Sequence, residues 1–415
     1  MNRKKIILAG LAICIIALVL VLQRDDELSP QASLMLDTVD WQTHTDSYLY
    51  LLGIDAQVGA KPLEVGKEIV KEIRAIEATY DRAESFEDIP KLAERSQLKL
   101  PDYAAFCSLE EAGCATTLMT KSDVPLESDA MRTLRLRYLA FMSMGDFRSM
   151  NRPHILETFP SFSHLVKGNR LESLDAIELA RSGSVAQAIQ RLDKLIAQEI
   201  VYLRESDSLI ARMIAIALLN ESLEVLSLIV QQYHVEEEPI ELLSAYQLSL
   251  NEVMNREFAF ATSSLQLIFV GEPYSYLPEW MIRLVLKPNL TVNSVVPVYT
   301  NAKRMSELSM YDFARLDSEQ RRVEIKKSWL RNPVGTQLNE VSRIDVRSYI
   351  ARGFDMNAKI SLLNSLLRGQ EIMQARNPYY QEELPPVRSD GNRLCFEGPY
   401  EDPRYYRCLT ILNTN

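Results

Sequence analysis

An uncharged run close to the N-terminus constrains this chain more than any other feature of its sequence. Ile6 to Leu22 are seventeen residues without a charged side chain, near the lower limit for a helix that spans the roughly 30 Å hydrocarbon core of a bilayer. Three basic residues, at positions 3 to 5, precede the run, and the first acidic residue is Asp25. This charge bias predicts a membrane helix over residues 6–22, with residues 1–5 in the cytoplasm and the rest of the chain outside it.

A cleavable signal peptide and a lipoprotein signal are the alternatives to this anchor. A cleavage site needs small residues after a shorter apolar core, whereas the apolar run here leads directly into Gln23 and Arg24. A lipidation site at Cys14 would need a small residue before the cysteine, and Ile13 occupies that position. The sequence therefore predicts an uncleaved signal anchor, followed by a polar stalk over residues 23–40.

The exported part is long and has a composition that favours helix. About 390 residues follow the anchor, more than one hydrophobic core usually covers. Glycine accounts for only 14 of the 415 residues, and leucine, alanine, glutamate and arginine are abundant. We therefore expect a mainly α-helical extracytoplasmic domain over residues 41–375, built as stacked helical hairpins in an irregular α-solenoid or a multi-helix bundle.

The charge of the exported part limits its partners. Residues 25–415 contain 42 basic and 56 acidic side chains, which gives a formal charge of −14. An acidic surface argues against nucleic acid and against direct binding to anionic lipid, although solubility alone would explain it equally well. We therefore expect contact with the membrane through the N-terminal helix and no nucleic-acid partner.

Four cysteines outside the anchor form two close pairs in the sequence, Cys107 with Cys114 and Cys395 with Cys408. The predicted export places them in an oxidising compartment, so two local disulfides are expected. In the chain-entropy model these loops would contribute about 2.5 and 3 kcal/mol respectively. A metal site is the alternative, but it would need Cys-x-x-Cys spacing or nearby histidine, and the four histidines are scattered along the chain.

Capping residues mark the start of two helices. Pro62 suits the first turn of a helix, and apolar residues follow it at spacings of three and four as far as Tyr80. Ser128 or Asp129 can cap a second helix, which is predicted to continue through Met142 and to end at Gly145.

The region from residue 171 to residue 233 predicts a tight αα-hairpin followed by two shorter helices. Gly183 separates two helical apolar stripes, and the phrase around it is similar to the turn of a tetratricopeptide repeat. We expect a third helix from Leu209 to Leu219, a turn at Asn220-Glu221-Ser222, and a fourth helix from Leu223 to Tyr233. Two repeat-like units are fewer than a solenoid usually needs, so a compact bundle remains the alternative.

The chain changes character after residue 375. Five prolines and two glycines between residues 376 and 403 exclude long helices, while residues 393–396 and 405–412 suit two β-strands. A disulfide between Cys395 and Cys408 would join the strands into a hairpin. Residues 376–415 are therefore predicted to form a small non-helical cap.

The sequence predicts no catalytic, cofactor-binding or metal-binding residue. Phosphate-binding glycine loops, nucleophile elbows and His-Glu-x-x-His are absent from it. Many carboxylates are present, and the candidate charged pair is Arg352 with Asp355, which face each other on one predicted helix; a structural ion pair is the alternative explanation. Tyr400, Tyr405 and Tyr406, with Arg404, form an aromatic and basic cluster that could bind a sugar or a peptide, or could pack against the helices.

Several short phrases give the chain a resemblance to a group of uncharacterised bacterial single-pass inner-membrane proteins with helical periplasmic domains. They follow the N-terminal anchor and include Tyr-Leu-Leu-Gly-Ile-Asp-Ala at 50–56, the loop between Cys107 and Cys114, and Lys287-Pro-Asn289. Asn332-Pro-Val-Gly335 comes next, and Tyr349, Arg352 and Asp355 follow it. The resemblance implies an envelope setting, with the bulk of the chain in the periplasm, and it implies no activity and no site residues.

Two functions from different classes follow from these observations. The first is a membrane-anchored scaffold or interaction protein of the cell envelope, which docks another envelope or inner-membrane protein. The second is a carboxylate-based cell-wall hydrolase or a sugar-binding protein, which predicts a cleft where two carboxylates converge beside exposed aromatic rings. The absence of catalytic motifs favours the first.

Overall fold

The computed structural model describes residues 7, 22, 24–79, 89–101, 107, 113–120, 128–267, 279–316, 323–341, 345–380, 385–389 and 392–412. These residues confirm the mainly helical fold. The predicted anchor at 6–22 lies outside the described residues, except for Ile7 and Leu22. In the described part of the chain, one helix, Leu209–Tyr233, is long and apolar enough to cross a membrane, and most of it is buried inside the domain.

The helices are named in chain order. They are α1 (Pro30–Asp37), α2 (Asp46–Leu52), α3 (Pro62–Glu77), α4 (Cys114–Thr120), α5 (Asp129–Met142), α6 (Phe162–Arg181), α7 (Val185–Glu205), α8 (Leu209–Tyr233), α9 (Ala245–Leu248), α10 (Asn251–Leu267), α11 (Glu279–Val285), α12 (Pro288–Ser306), α13 (Met310–Arg315), α14 (Pro333–Val341) and α15 (Val346–Leu367). Both predicted capping sites are confirmed, since Pro62 lies in the first turn of α3 and the Ser128 hydroxyl accepts the Met131 N–H at the start of α5.

Helix α8 is the core of the domain. It packs against α4, α6, α7, α10, α15 and the C-terminal sheet, so it is covered on nearly every side. The turn predicted at residues 220–222 was wrong, because α8 runs without interruption from Leu209 to Tyr233. Its polar residues do not break the helix because neighbouring helices satisfy them: Arg170 binds the Glu221 carboxylate at 3.1 Å, and the Ser222 hydroxyl donates to Glu199.

The predicted hairpin is present as α6 and α7. Gly183 lies between them with φ +89°, a left-handed conformation that a residue with a side chain rarely adopts. Helix α5 packs closely on α6 at Gly168. A Cβ at this position would lie only 2.5 Å from the Cβ of Tyr138, so the close packing requires glycine. The continuity of α8 removes the second repeat-like unit. Helices α5, α6, α7 and α8 therefore pack one against the next as a bundle.

A buried polar cluster lies where α5, α6, α7 and α8 meet. The Glu199 carboxyl is fully buried and is bonded by the Tyr138 hydroxyl at 3.0 Å and the Ser222 hydroxyl at 2.9 Å. The Asn169 amide also donates to it. Burial raises the pKa of Glu199 to about 8, although these hydrogen bonds oppose the shift. The carboxyl is therefore neutral near pH 7 and belongs to the core.

Residues 24–40 differ from the predicted stalk. They contain α1, which packs against α10 and α12, and Ala32 and Met35 of α1 are buried. Polar composition suggested an extended linker, but most of these polar groups are bonded to the domain or to the ends of α1. The described chain is therefore attached to the folded domain from Asp25 onward.

The segment after α8 is not helical throughout, although the apolar pattern of the sequence predicts helix from Ile240 to Phe269. Residues 235–244 are extended and lie along α15. The side-chain amide of Asn364 bonds both backbone groups of Ile240, at 2.8 Å each, and Asn357 does the same for Leu243, at 2.6 and 2.9 Å. These bonds satisfy the backbone N–H and carbonyl groups of Ile240 and Leu243, which a helix would otherwise pair.

The C-terminal cap is a three-stranded antiparallel sheet and not a two-stranded hairpin. Its strands are β1 (Val387–Ser389), β2 (Arg393–Cys395) and β3 (Cys408–Thr410), in that order across the sheet. Both predicted cysteine pairs lie at disulfide distance, with Cα separations of 6.0 Å for Cys107 and Cys114 and 4.1 Å for Cys395 and Cys408. The second separation is slightly shorter than the usual 4.4 to 6.8 Å.

Replacement of Glu199 by glutamine tests the buried cluster. The raised folded-state pKa means that the folded protein binds more protons than the unfolded chain between about pH 5 and 8, so Glu199 lowers stability as pH rises through this window. Glutamine keeps an acceptor for Tyr138 and cannot ionise. We expect Glu199→Gln to gain stability relative to wild type by on the order of 1.4 kcal/mol for each pH unit in the window. Chemical denaturation at a series of pH values measures it.

Glu178→Gln is the matched control, because Glu178 is exposed on α6. The difference in free energy of unfolding between Glu178→Gln and wild type should not change with pH. If the difference in stability between Glu199→Gln and wild type were equally independent of pH, the burial of a neutral carboxyl would be contradicted.

Candidate functional site

The first candidate site is the point where the chain enters the domain. Asp25 accepts the backbone N–H groups of Asn289, at 2.8 Å, and Leu290, at 3.2 Å, in the first turn of α12. The local N-cap residue, Lys287, makes no side-chain capping bond, so this carboxylate from 264 residues away serves as the cap. The negative charge of Asp25 also suits the positive end of the helix dipole.

Two further side chains hold the entering chain. Asn293 accepts the Ser29 N–H and donates to the Glu27 carbonyl, both at 2.8 Å. Arg331 binds the Asp26 carboxylate at 2.8 Å and the Arg24 carbonyl at 3.2 Å. We call Asp25, Asp26, Asn289, Asn293 and Arg331 the entry clasp. Its function is attachment, since every group in it binds another part of the same chain.

Two of the phrases noted in the sequence meet beside the entry clasp. Lys287-Pro-Asn289 starts α12, and Asn332 to Gly335 start α14. The side-chain Oδ1 of Asn332 accepts the Lys287 N–H at 2.9 Å, and its side-chain Nδ2 donates to the Thr291 hydroxyl at 2.8 Å. A Cβ at Gly335 would lie 2.0 Å from that hydroxyl oxygen, so only glycine fits. Both phrases are therefore explained by helix packing at the chain entry.

The second candidate site contains the pair chosen from the sequence, Arg352 and Asp355 on α15. The Arg352 guanidinium lies 3.0 Å from Asp355 and 2.6 Å from Asp402. Tyr379 donates its hydroxyl to Asp355 at 2.7 Å, and Arg407 lies 3.5 Å from the same carboxylate. Burial raises the pKa of Asp355 to about 6, with Arg352 opposing the shift. Two carboxylates do converge here, as the enzyme hypothesis requires.

This cluster is closed to solvent. The side chains of Arg352, Asp355 and Asp402 are 8%, 0% and 4% exposed. Such burial leaves no room for a sugar between the carboxylates, so the arrangement is a structural ion network that joins the cap to α15. The sequence identified the residues and did not identify the partner Asp402, because nothing in the local pattern relates positions 47 residues apart.

The C-terminal tyrosines do not form an open aromatic surface. Tyr406 is buried beneath Arg352, and Tyr400 packs against Phe313 with the ring centroids 5.8 Å apart. Tyr405 is half-buried, with the Arg393 guanidinium 4.3 Å from its ring centroid. The packing alternative therefore describes these residues better than a sugar platform does.

The third candidate is an apolar cleft of about 320 Å³ between α10 and α12. Val292, Val295 and Val298 line one wall, and Phe260 and Leu265 lie across from them. The carboxylate in its lining, Glu257, accepts the Leu209 N–H at 2.9 Å. The cleft can hold an apolar group, but it presents no nucleophile paired with a base. Within the described residues, no group of three or more histidine, cysteine or acidic side chains could hold a metal ion.

Comparison with known proteins adds no family to these observations. No protein-family model, no curated protein and no solved structure matches this chain. Any function must therefore be argued from the geometry of the chain itself.

Replacement of Arg352 by alanine tests the structural interpretation of the ion network. Removal of one partner leaves Asp355 and Asp402 buried without a counterion, which typically costs about 3 to 5 kcal/mol. We expect the free energy of unfolding to fall by that amount in urea denaturation of the full chain. Limited proteolysis should cut first in the cap.

Arg347→Ala is the matched control on the same helix. Arg347 pairs with Asp345 at 2.6 Å in a partly exposed position, where an ion pair contributes about 0 to 1 kcal/mol. Equal losses in the two variants would show that the buried network has no special structural role.

Proposed function

We propose that this protein is a membrane-anchored component of the bacterial cell envelope, which holds a helical docking domain against the outer surface of the inner membrane. Its partner is another envelope or inner-membrane protein at that surface. The anchor is residues 6–22, with the N-terminus in the cytoplasm. The observation that carries the proposal is the entry clasp, because it leaves almost no free chain between the anchor and the domain.

The length of the connection can be bounded. Two residues, Gln23 and Arg24, separate Leu22, the last residue of the anchor, from Asp25, and the three Cα-to-Cα steps between Leu22 and Asp25 span at most about 11 Å. The Asp25 carboxylate is bonded to the first turn of α12. The N-terminal end of α12 therefore lies within about 11 Å of the end of the anchor, plus the length of the Asp25 side chain.

The direction in which the chain leaves the clasp orients the domain. Asp25 is bonded beside Asn289, and Gln31 donates to the Thr300 hydroxyl at 3.0 Å. Between these two points α12 rises by about 16 Å. The segment from Asp25 to Gln31 thus runs along α12 away from the anchor, so the N-terminal end of α12 faces the membrane and the rest of the domain extends from it.

Docking is better supported than catalysis by the described side chains. The convergent carboxylates Asp355 and Asp402 are buried in an ion network, and the neutral Glu199 is enclosed in the core. Neither can reach a polymer such as peptidoglycan. The hydrolase and the sugar-binding protein therefore have no specific geometric observation in their favour.

A linker insertion tests whether the fixed position at the membrane matters. Twelve glycine and serine residues inserted between Gln23 and Arg24 would release the domain by about 20 Å while leaving the contacts of the clasp intact. We expect crosslinking in intact cells, followed by purification from membranes, to recover a stoichiometric partner with the wild-type chain. The inserted linker should abolish that recovery.

The matched control is the same linker inserted after Asn2, on the cytoplasmic side of the anchor. It should leave the partner in place. Recovery of the protein alone from every sample would contradict the docking proposal. Recovery of the partner from both insertions would show that proximity to the membrane is irrelevant to docking.

A further inference from the structure

Large apolar side chains are exposed next to the entry clasp. Trp329 is 50% exposed and Leu330 is 84% exposed. They directly precede Arg331, which holds the Arg24 carbonyl and the Asp26 carboxylate. Two large apolar residues therefore lie in solvent beside the point where the chain comes from its anchor.

A second exposed group lies on α11. Trp280, Met281 and Val285 are 53%, 39% and 40% exposed. Helix α11 packs against α14 and leads within two residues to Lys287, whose backbone N–H is bonded by Asn332. The α11 group and the Trp329 group therefore flank the same junction. We call Trp280, Met281, Val285, Trp329 and Leu330 the entry face.

Basic residues accompany the entry face. The sequence from 321 to 331 contains five basic residues and one acidic residue, in a part of the chain whose formal charge is −14 overall. Lys326 and Lys327 are exposed and lie three and two residues, respectively, before Trp329. Part of this charge is used within the chain, since Lys327 pairs with Glu340 and Arg331 pairs with Asp26. Together with Glu324, these two carboxylates balance Lys326, Lys327 and Arg331, so the described part of this stretch is close to neutral, whereas the chain after residue 24 is acidic overall.

Tryptophan, leucine and lysine in this arrangement suit the interface of a bilayer. Tryptophan is enriched at the level of the lipid headgroups, where its ring is buried and its N–H reaches polar partners. Lysine can place its apolar stem along lipid while its charge binds phosphate. We propose that the entry face lies in the headgroup region of the same bilayer that holds the anchor. This inference rests on the proposed anchoring and adds a second, peripheral membrane contact that fixes the tilt of the domain.

The three tryptophans of the chain allow a direct test, because the third, Trp41, follows α1 on the side that leads away from the anchor. Three full-length chains, each with two tryptophans replaced by phenylalanine, are placed in nanodiscs of ordinary or bromine-labelled phospholipid. We expect bromine to reduce the fluorescence of Trp329 and of Trp280, because tryptophan at the level of the headgroups lies close to the labelled lipid. Trp41 should be unaffected. Equal quenching of all three, or none at Trp329, would overturn the proposal.

A charge reversal tests the lipid chemistry. Lys326→Glu with Lys327→Glu, in the chain that keeps Trp329, should reduce quenching in discs that contain anionic lipid. Lys61→Glu with Lys71→Glu changes the charge equally at α3, where both lysines are exposed, and should leave the quenching unchanged. The same loss of quenching in both variants would show that the charges beside Trp329 have no specific role and would overturn the lipid contact.

The same samples separate failure of this inference from failure of the anchor. A chain that does not stay with the discs on gel filtration contradicts the anchored protein itself. A chain that stays with the discs but whose Trp329 is not quenched contradicts only the proposed contact between the entry face and lipid. If that tryptophan is instead shielded from a soluble quencher in proportion to protein concentration, the face binds a second copy and the lipid proposal is wrong.

Discussion

The burial of α8 on nearly every side is the constraint on which the rest of the domain depends. A helix of 25 residues with this apolar composition has to be covered all round in water, and six surrounding elements cover it. Its few polar side chains then have to be paired by those elements, because an unpaired polar group in the core would cost several kcal/mol. Glu221 binds Arg170 of α6, and Ser222 binds Glu199 of α7. The polar residues of α8 thus set how the hairpin lies on it.

The same principle attaches the C-terminal cap. Glu224 of α8 pairs with Lys359 of α15 and accepts the Thr410 N–H of β3 at 2.7 Å. Arg352 then joins α15 to Asp402. A three-stranded sheet of nine residues is too small to be stable alone, so these bonds and the Cys395 to Cys408 pair keep it in place. The first and last continuously described segments are therefore both fixed, with the cap on α8 and α15 and the segment from Asp25 on α12.

Local signals in the sequence predicted local structure well. Pro62, Ser128 and Gly183 each act through their own backbone or first turn, so the helix starts and the hairpin turn could be found without knowledge of the fold. The cysteine pairing and the mainly helical class followed from spacing and composition. The Arg352 and Asp355 pair was also found, because residues three apart face each other on a helix.

The misses all depend on distant partners. Asn220 to Ser222 would favour a turn in isolation, but Arg170 binds Glu221 and Glu199 accepts the Ser222 hydroxyl, so α8 continues through them. Asp25 and Asn293 make contacts across more than 260 residues that attach the predicted stalk to the domain. Asn357 and Asn364 bond an extended segment where a helix was expected. No local pattern encodes these contacts. The entry clasp, on which the functional proposal rests, therefore emerged only with the structure.

In the proposed arrangement, α8 is the core of one extracytoplasmic domain and does not cross the membrane, although it is long and apolar enough to do so. Single cysteines on either side of it test this most directly, introduced as Ala197→Cys in α7 and Glu238→Cys after α8, at exposed positions and with Cys14 replaced by serine. We expect a membrane-impermeant maleimide to label both cysteines in spheroplasts without lysis. Labelling of only one of them before lysis would place α8 across the bilayer and contradict the account.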